Sequence, residues 1–239
     1  MKPRAWPIFL WAGLGIAALL ALGTWQLFRL GEKQELLAEI EARVQATPVS
    51  LEKVLAMHER GENIEFVAVK TGGTFDYPSE RHKLATFDGS SGWQIITPFR
   101  SSEGIVVLVD RGAVSDDLRD AGKRPENAST IELAAIVRTH GNERGFFDPE
   151  NDVDGNAWYW WDVPAMLSSV SIPADMKIAP FVLQALPGDD PKKIPRAARP
   201  EAQLLNNHLQ YAITWFSLAI ALFVIAGLFI RKQVSRTGP

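Results

Sequence analysis

The chain has 239 residues, a formal net charge of −3 and no cysteine. A weak negative charge without a clustered basic stripe argues against nucleic-acid binding, which needs a basic surface. The lack of cysteine excludes disulfides, thiol redox chemistry and metal transfer between paired thiolates. The strongest remaining signal is a pair of long apolar segments, one near each end of the chain.

The first apolar segment covers residues 6–28 and follows a basic head that contains Lys2 and Arg4. It is long enough for a helix that crosses a bilayer core, which needs about 20 residues. A cleaved signal peptide is the competing interpretation, because Ala21-Leu22-Gly23 offers small residues, but signal peptides have apolar cores of roughly 7–15 residues. No Ser- and Arg-rich import leader occurs, and we expect a bacterial protein.

The second apolar segment, residues 208–230, precedes Arg231, Lys232 and Arg236. Basic residues mark the cytoplasmic ends of membrane spans, so both termini are expected in the cytoplasm. We therefore predict a cytoplasmic head at residues 1–5, spans at 6–28 and 208–230, and a cytoplasmic tail at 231–239. Residues 29–207 are then a periplasmic domain, held at a bacterial cell inner membrane by its two spans.

The predicted periplasmic domain has the pattern of an α+β fold. The first helix is expected to continue to a stop near Thr47-Pro48, and Ser50 caps a short second helix. A further capped helix starts at Asp162 with Pro164 in its first turn. Ser101–Gly104 is typical of a hairpin loop between neighbouring strands. We predict a mainly antiparallel sheet or partial barrel between two transmembrane helices, with strands at residues 64–70, 83–87, 93–99, 105–110, 131–138 and 181–186.

Motifs for catalysis are weak. Gly89-Ser90-Ser91-Gly92 is one residue short of a nucleophile elbow, and neither a phosphate loop nor a zinc helix occurs. Residues 150–155 imitate the start of a calcium loop, but its twelfth position is Trp161 and offers no carboxylate, which favours a plain acidic turn. We expect no enzymatic activity, and a membrane-anchored hydrolase stays a minor alternative.

Among the four histidines, His58, His82 and His140 are expected to be ordinary hydrogen-bonded or solvent-facing residues, whereas His208 opens the second span. Helical spacing places His208, Tyr211 or Ala212, Trp215 and Ala219 on one face. At the matching depth, the first span carries Trp25, Gln26 and Arg29. Aromatic belts and snorkelling anchors give the same pattern, and the residues by themselves favour that plainer interpretation.

Several motifs, in this order, carry a resemblance to a known family. They are Leu22-Gly23-Thr24-Trp25-Gln26-Leu27-Phe28-Arg29 followed by Lys33, Val109-Asp110-Arg111-Gly112, Phe147 and Pro149 ahead of Asn156-Ala157-Trp158-Tyr159, and Asn206-Asn207-His208-Leu209-Gln210-Tyr211-Ala212-Ile213-Thr214-Trp215-Phe216. The chain resembles the surfeit locus protein 1 family, whose members are assembly factors for haem-copper cytochrome c oxidase. The resemblance covers both apolar segments and the domain between them.

The resemblance implies a non-enzymatic role in forming the haem centres of oxidase subunit I. It implies transient binding of haem a, with the family's candidate iron ligand falling on His208, and it implies oxidase subunit I, haem A synthase and the lipid bilayer as partners. The Arg111-Gly112 pair matches a family pair to which we assign a structural role. The chain departs from the family at Ala113, where many members carry tryptophan.

The residues around His208 suit such a ligand. Trp25, Tyr211 and Trp215 offer packing surfaces for a macrocycle, and Arg29 offers a partner for a propionate. Gln26 offers an amide that orients the imidazole through its second ring nitrogen. The alternative hypothesis is a scaffold that contacts subunit I and haem A synthase through its outer domain and never ligates haem, with the Asn-Asn-His motif packing two helices.

Overall fold

The structure of the protein is a computed structural model that describes residues 6–124, 129–139, 144–168, 170–188, 190, 193–198 and 207–235. The chain divides into two compact units, Met1–Glu39 with Leu204–Pro239 and Ile40–Gln203. The first unit contains the apolar segments of two long helices, and the second contains every strand of the described chain. We refer to them as the helix pair and the barrel domain.

The two long helices of the described chain are α1 (Trp6–Gln45) and α4 (His208–Ser235). Phe9–Gln45 and His208–Lys232 are long and apolar enough to cross a membrane, with mean hydropathies of 1.5 and 2.5. Only 6% of either apolar stretch is buried, unlike a core helix of a water-soluble protein. These helices support a membrane protein with two spans. The predicted extension of the first helix towards Thr47 is confirmed by its end at Gln45.

Small residues let α1 and α4 approach each other closely. A Cβ on Gly23 would lie 2.7 Å from the ring of Phe216. Ala212 and Ala219 of α4 are only 2% and 3% exposed. Small contact residues are typical of membrane helices, because lipid tails give two helices no hydrophobic reason to associate and close packing must hold them together.

Five strands of the barrel domain close into a ring. They are β1 (Ala68–Phe75), β3 (Ser90–Ser101), β4 (Ile105–Ser115), β5 (Ile131–Arg138) and β7 (Lys177–Ala185). Their order is β1-β5-β7-β4-β3, and β3 pairs again with β1. Two further strands, β2 (Arg81–Phe87) and β6 (Ala157–Trp158), continue the sheet from β3. The ring leaves its five strands without an open edge, so the predicted partial barrel is a closed one.

The predicted α+β class is confirmed, and the strand directions are mixed. The predicted hairpin joins antiparallel β3 and β4 around Gly104, whose φ is +73°. The sheet is mainly antiparallel, as predicted, with two parallel pairs: β4 runs parallel to β7, and β2 runs parallel to β6. The chain between β4 and β7 includes β5, β6 and α3 (Val163–Leu167), which is enough to return it to the same end of the sheet.

The first strand begins later than the predicted range of 64–70. Its start at Ala68 follows Phe66, whose φ of +62° is incompatible with an extended strand. The strand also continues past the predicted end at residue 70, to Phe75. A Cβ on Gly73 would lie 2.2 Å from the carbonyl oxygen of Arg100. Glycine at this point lets β1 approach β3 closely enough to close the barrel.

Apolar side chains from all five ring strands fill the barrel interior. The short helix α2 (Leu51–Glu59) packs against this cluster. It starts where Ser50 Oγ accepts a hydrogen bond from the Lys53 N–H, as predicted. Buried members of the interior include Val69, Phe99, Val107, Val137, Phe181, Leu51 and Val54.

A second apolar cluster covers the outer face of β3, β4 and β7. Side chains alternate between the two faces of a strand, so Leu108 faces this cluster while its neighbour Val107 faces the interior. The covering layer comes from Trp158, Trp161 and α3. As predicted, Asp162 caps the start of α3, and its carboxylate accepts a hydrogen bond from the Ala165 N–H at 3.0 Å.

Candidate functional site

The candidate site of the helix pair centres on His208, the first residue of α4. Its Nδ1 atom lies 2.8 Å from Oε1 of Gln26 on α1. Gln26 and His208, which the sequence places at a matching depth, are therefore in direct contact. Both side chains are partly buried, in helices whose other surfaces are mostly apolar.

One face of α4 continues from His208 towards the middle of the helix. Ala212, Trp215 and Ala219 follow at helical spacing, and the two alanines are buried. The sequence left Tyr211 and Ala212 open for this face, and the buried one is Ala212. The indole N–H of Trp215 is buried without a hydrogen-bond partner among the described residues.

The other predicted site residues are exposed on the helix pair. Trp25 is 53% exposed and Tyr211 is 54% exposed. Arg29 forms an ion pair with Glu32 at 2.6 Å, in which both side chains are more than half exposed. Of the six predicted site residues, the structure joins only His208 and Gln26 directly, and Asn206 of the same motif lies outside the described residues.

In the barrel domain, the buried carboxylate of Glu80 organises a charged cluster that the sequence did not predict. Its Oε1 accepts hydrogen bonds from Arg124 and, at 2.7 Å, from Nε2 of His82. Arg111 Nη1 lies 4.0 Å from its Oε2. Burial by itself would raise the pKa of the Glu80 carboxyl, but the bonds from His82 and Arg124 outweigh it, and the pKa lies below the usual 4.5.

Arg119 connects this cluster to the loop before β6. Its Nε donates to Nδ1 of His82 at 3.1 Å, and its Nη2 donates to the carbonyl oxygens of Gly155 and Asn156 at 3.0 Å. The guanidinium also stacks over Trp93, 4.0 Å from the ring centroid. These contacts occupy Arg119 in holding the fold together.

The Val-Asp-Arg-Gly motif has the structural role that we expected for Arg111-Gly112. Arg111 lies over two aromatic rings, 5.0 Å from the centroid of Phe75 and 4.8 Å from that of Tyr77. Gly112 has a φ of +113°, and a Cβ there would lie 2.3 Å from the backbone of Arg196. The motif therefore fixes the backbone around Arg196 against β4.

Asp110 of the same motif belongs to a second buried polar group. Gln94 connects two charges there, because its amide donates to Asp110 at 3.0 Å and accepts from Lys83 at 3.1 Å. Burial raises the pKa of Asp110 and lowers that of Lys83. Each group is held in a defined hydrogen bond, which is the arrangement of a structural network.

The motif Asn156-Ala157-Trp158-Tyr159 packs beside Glu80. Asn156 adopts a φ of +48°, donates to the carbonyl oxygen of Glu80 and accepts from the indole N–H of Trp158. Trp158 is 1% exposed. Phe147 differs, since it is 92% exposed and contacts the ring of the equally exposed Phe146.

The acidic loop at residues 150–155 forms a turn that is held by its own side chains. Asp152 Oδ1 accepts a hydrogen bond from the Gly155 N–H, and Asn151 Oδ1 accepts one from the Tyr159 N–H. Across the described ranges, no three His, Asp or Glu side chains are grouped to hold a metal ion. His58 packs edge-on against Phe181, and His140 lies outside the described residues.

The surface clefts of the barrel domain include two that described residues line. One of about 370 Å³ includes His82, Arg119 and Lys123 among its lining residues. Another of about 240 Å³ lies between α2 and the hairpin at Glu103. In the first cleft, Arg119 and Lys123 both donate hydrogen bonds to backbone carbonyl oxygens of the chain. These two cations therefore serve the fold of the domain itself.

Comparison with known proteins places these features in a family. The SURF1 family profile matches residues 14–220. A SURF1-like protein of Monosiga brevicollis is 32% identical over 95% of this chain and 90% of its own length. Surfeit locus protein 1 of Xenopus tropicalis is 31% identical over 90% and 73%, and a SURF1-like protein of Rickettsia felis is 29% identical over 91% and 94%. The matched residues include the whole barrel domain and part of each apolar helix, and the chain therefore belongs to the SURF1 family.

Proposed function

We propose that the protein is an assembly factor for a haem-copper, aa3-type cytochrome c oxidase, which binds haem a on its helix pair and aids its insertion into subunit I. The observation that carries the proposal is the contact of His208 with Gln26, an imidazole held by an amide in an apolar helix pair. The role is non-enzymatic, and the chain supplies a binding site for a cofactor that it passes on.

The residues present fit this cofactor in chemical type. A neutral imidazole is a common axial ligand of haem iron, and His208 supplies one. Haem a also has a wide apolar surface and acidic propionates. Trp25 and Tyr211 present exposed aromatic surface for the macrocycle, Trp215 has a buried N–H that suits an oxygen acceptor, and Arg29 supplies a cation for a propionate.

A single strong ligand suits transient binding. Haem a supplies the redox-active iron when bound, while the chain's own residues hold, orient and surround it. His208 would be the single iron ligand that this chain supplies, which suits a cofactor that is passed on to the acceptor subunit. Subunit I and haem A synthase are the partners that this proposal requires.

The proposal is tested by expressing the chain together with haem A synthase and recording the pyridine haemochrome spectrum after purification in detergent. The unmodified chain is expected to carry a-type haem, and His208→Ala is expected to lose it. His58→Ala is the matched control, because His58 lies on α2 of the barrel domain. Haem retained by His208→Ala would assign the iron to another residue.

The scaffold hypothesis also has an observation in its favour, because the hydrogen bond between Gln26 and His208 joins two helices whatever else it does. A pure scaffold would bind oxidase subunit I but carry no haem, and His208→Ala would then lower the stability of the helix pair. Copurification of subunit I without haem from the unmodified chain would favour the scaffold over the carrier.

The proposed topology places the barrel domain in the periplasm of a bacterial cell inner membrane and both termini in the cytoplasm. The absence of cysteine allows a direct test, because any introduced cysteine is a unique label. Val153→Cys, at an exposed position of the barrel domain, should react with an impermeant maleimide in intact spheroplasts. Lys232→Cys should react only after lysis, and the reverse pattern would overturn the topology.

A further inference from the structure

We infer that Gln26 is the positioning residue of the candidate haem site: its side-chain carbonyl fixes His208 as the Nδ1–H tautomer and so assigns iron binding to Nε2. The inference rests on the proposed function for the identity of the bound metal. Its structural half, the tautomer, is independent of any ligand.

The tautomer follows from the chemistry of the contact. A carbonyl oxygen can only accept a hydrogen bond, so the 2.8 Å distance from Gln26 Oε1 requires a hydrogen on Nδ1 of His208. A neutral imidazole has one N–H, and its lone pair then lies on Nε2. Since a metal needs that lone pair, Gln26 decides which ring nitrogen can act as a ligand.

Gln26 also restricts the ring's orientation. His208 is the first residue of α4, where the end of a helix holds a side chain less firmly than the middle does. A hydrogen bond from the neighbouring helix α1 removes this freedom, and close packing at Gly23, about one turn before Gln26, holds the two helices at a fixed separation. Outer partners of metal-ligating histidines commonly have this combined effect on tautomer and direction.

The amide is better suited to this task than a carboxylate. A carboxylate at position 26 would also accept from Nδ1–H, but it would add charge to an apolar helix pair and draw the proton away from the ring. Iron bound to such an electron-rich imidazole is held more tightly. A neutral acceptor sets the geometry without this strengthening, which suits a site that must release its cofactor.

Two variants of Gln26 distinguish the effect of a hydrogen-bond acceptor from the effect of a negative charge. Gln26→Leu removes the acceptor at similar volume, and Gln26→Glu keeps an acceptor. Gln210→Leu is the matched control, because Gln210 lies on the same turn of α4 as His208 but is exposed. Replacing it removes an equivalent amide from the same region without touching the ring contact.

The first readout needs no haem. Long-range proton–nitrogen NMR of the full-length, histidine-labelled chain in detergent micelles distinguishes the two neutral tautomers, and the His208→Ala spectrum identifies the His208 signals. We expect Nδ1–H in the unmodified chain, in Gln26→Glu and in Gln210→Leu, and a change towards Nε2–H in Gln26→Leu. An Nε2–H ring in the unmodified chain, or no change in Gln26→Leu, would overturn the inference.

The second readout uses the haem-loaded chain. The iron–histidine stretching frequency of the ferrous form should fall in Gln26→Leu and rise in Gln26→Glu, with haem affinity in Gln26→Leu reduced by roughly 10–100-fold. Equal frequencies in all variants would reject the positioning role while leaving haem binding intact. If the unmodified chain binds no haem, the proposed function fails, and the assignment of iron to Nε2 fails with it, whatever tautomer the NMR spectra show.

Discussion

The barrel domain and the helix pair treat polar groups in opposite ways. In the barrel domain, buried charges such as Glu80 and Arg124 are paired within the fold and stabilise it. In the helix pair, few side chains are buried, and a partly buried polar contact, Gln26 with His208, joins the helices. This contrast supports the proposed placement of a ligand site on the helix pair, because the buried charges of the barrel are engaged within its fold.

The largest expected effect comes from Glu80→Gln. This change keeps the shape of the side chain but leaves the buried Arg124 guanidinium without its anion, so the free energy of unfolding should fall by about 3–5 kcal/mol. Thermal unfolding of the detergent-purified chain, followed by near-ultraviolet circular dichroism, measures it. Glu132→Gln is the control, since Glu132 pairs with Lys70 on the exposed surface. Equal losses in the two variants would show that burial does not strengthen the Glu80 cluster.

The contribution of Glu80 should also depend on pH. Its pKa in the folded state lies below the usual 4.5, so the unfolded chain takes up a proton first on acidification. The stabilisation is then fully present above 4.5 and is lost as the pH falls through the folded-state pKa. The stability difference between the unmodified chain and Glu80→Gln should shrink below 4.5, and the comparison cancels the opposite contribution of Asp110, whose pKa is raised by burial. A constant difference would contradict this account.

The next largest effect is expected at Gly112, where β4 contacts the backbone of Arg196. Gly112→Ala adds a Cβ at a φ of +113° and against the Arg196 backbone, and the two costs should lower stability by about 2–4 kcal/mol. Gly104→Ala is the matched control, because Gly104 has a φ of +73° but open space around it. Its cost should be confined to the backbone conformation, about 1 kcal/mol. Thermal unfolding compares them, and equal costs would mean that the Arg196 segment moves aside freely.

Much of the architecture could be predicted from local sequence signals. Ser50 and Asp162 cap short helices, Gly104 turns a hairpin, and the apolar stretches indicate the long helices. Closure of the barrel could not be predicted, because it depends on the contact of Gly73 with Arg100, which are distant in sequence. The parallel pairing of β4 with β7 is also a long-range choice that local alternation does not encode.

The candidate site and the barrel cluster also differ in how far local sequence predicts them. Helical spacing and the family motif singled out His208, and matching depth brought Gln26 to it. The charged cluster around Glu80 was missed, because Arg111 comes from β4 and Arg124 from the segment after β4, both distant in sequence from Glu80. The one available signal was the spacing of Glu80 and His82, which puts both side chains on the same face of an extended segment. This alternation does not show which other residues that face contacts.

A smaller effect is expected where the helices touch. Gly23→Leu places side-chain atoms against the Phe216 ring, which lies at the end of a movable side chain, so the cost should be about 1–3 kcal/mol. Unfolding by increasing fractions of sodium dodecyl sulfate measures the stability of the helix pair. Gly13→Leu is the control on the same helix, because a Cβ on Gly13 meets nothing within 4 Å. If both variants behave alike, Gly23 does not belong to a tight helix contact.

The smallest effect on stability is expected for Arg29→Gln, and this makes it the sharpest test of the contrast between the two units. The Arg29 and Glu32 side chains are 52% and 62% exposed, so breaking their ion pair should change the unfolding free energy by about 0.5 kcal/mol or less. If Arg29 instead serves a propionate, haem content should fall in the purified variant while its unfolding curve stays in place. Lys33→Gln, about one turn further along α1, controls for the loss of a positive charge. Unchanged haem content in Arg29→Gln would remove Arg29 from the binding site and leave His208 and Gln26 as its polar groups on α1 and the start of α4.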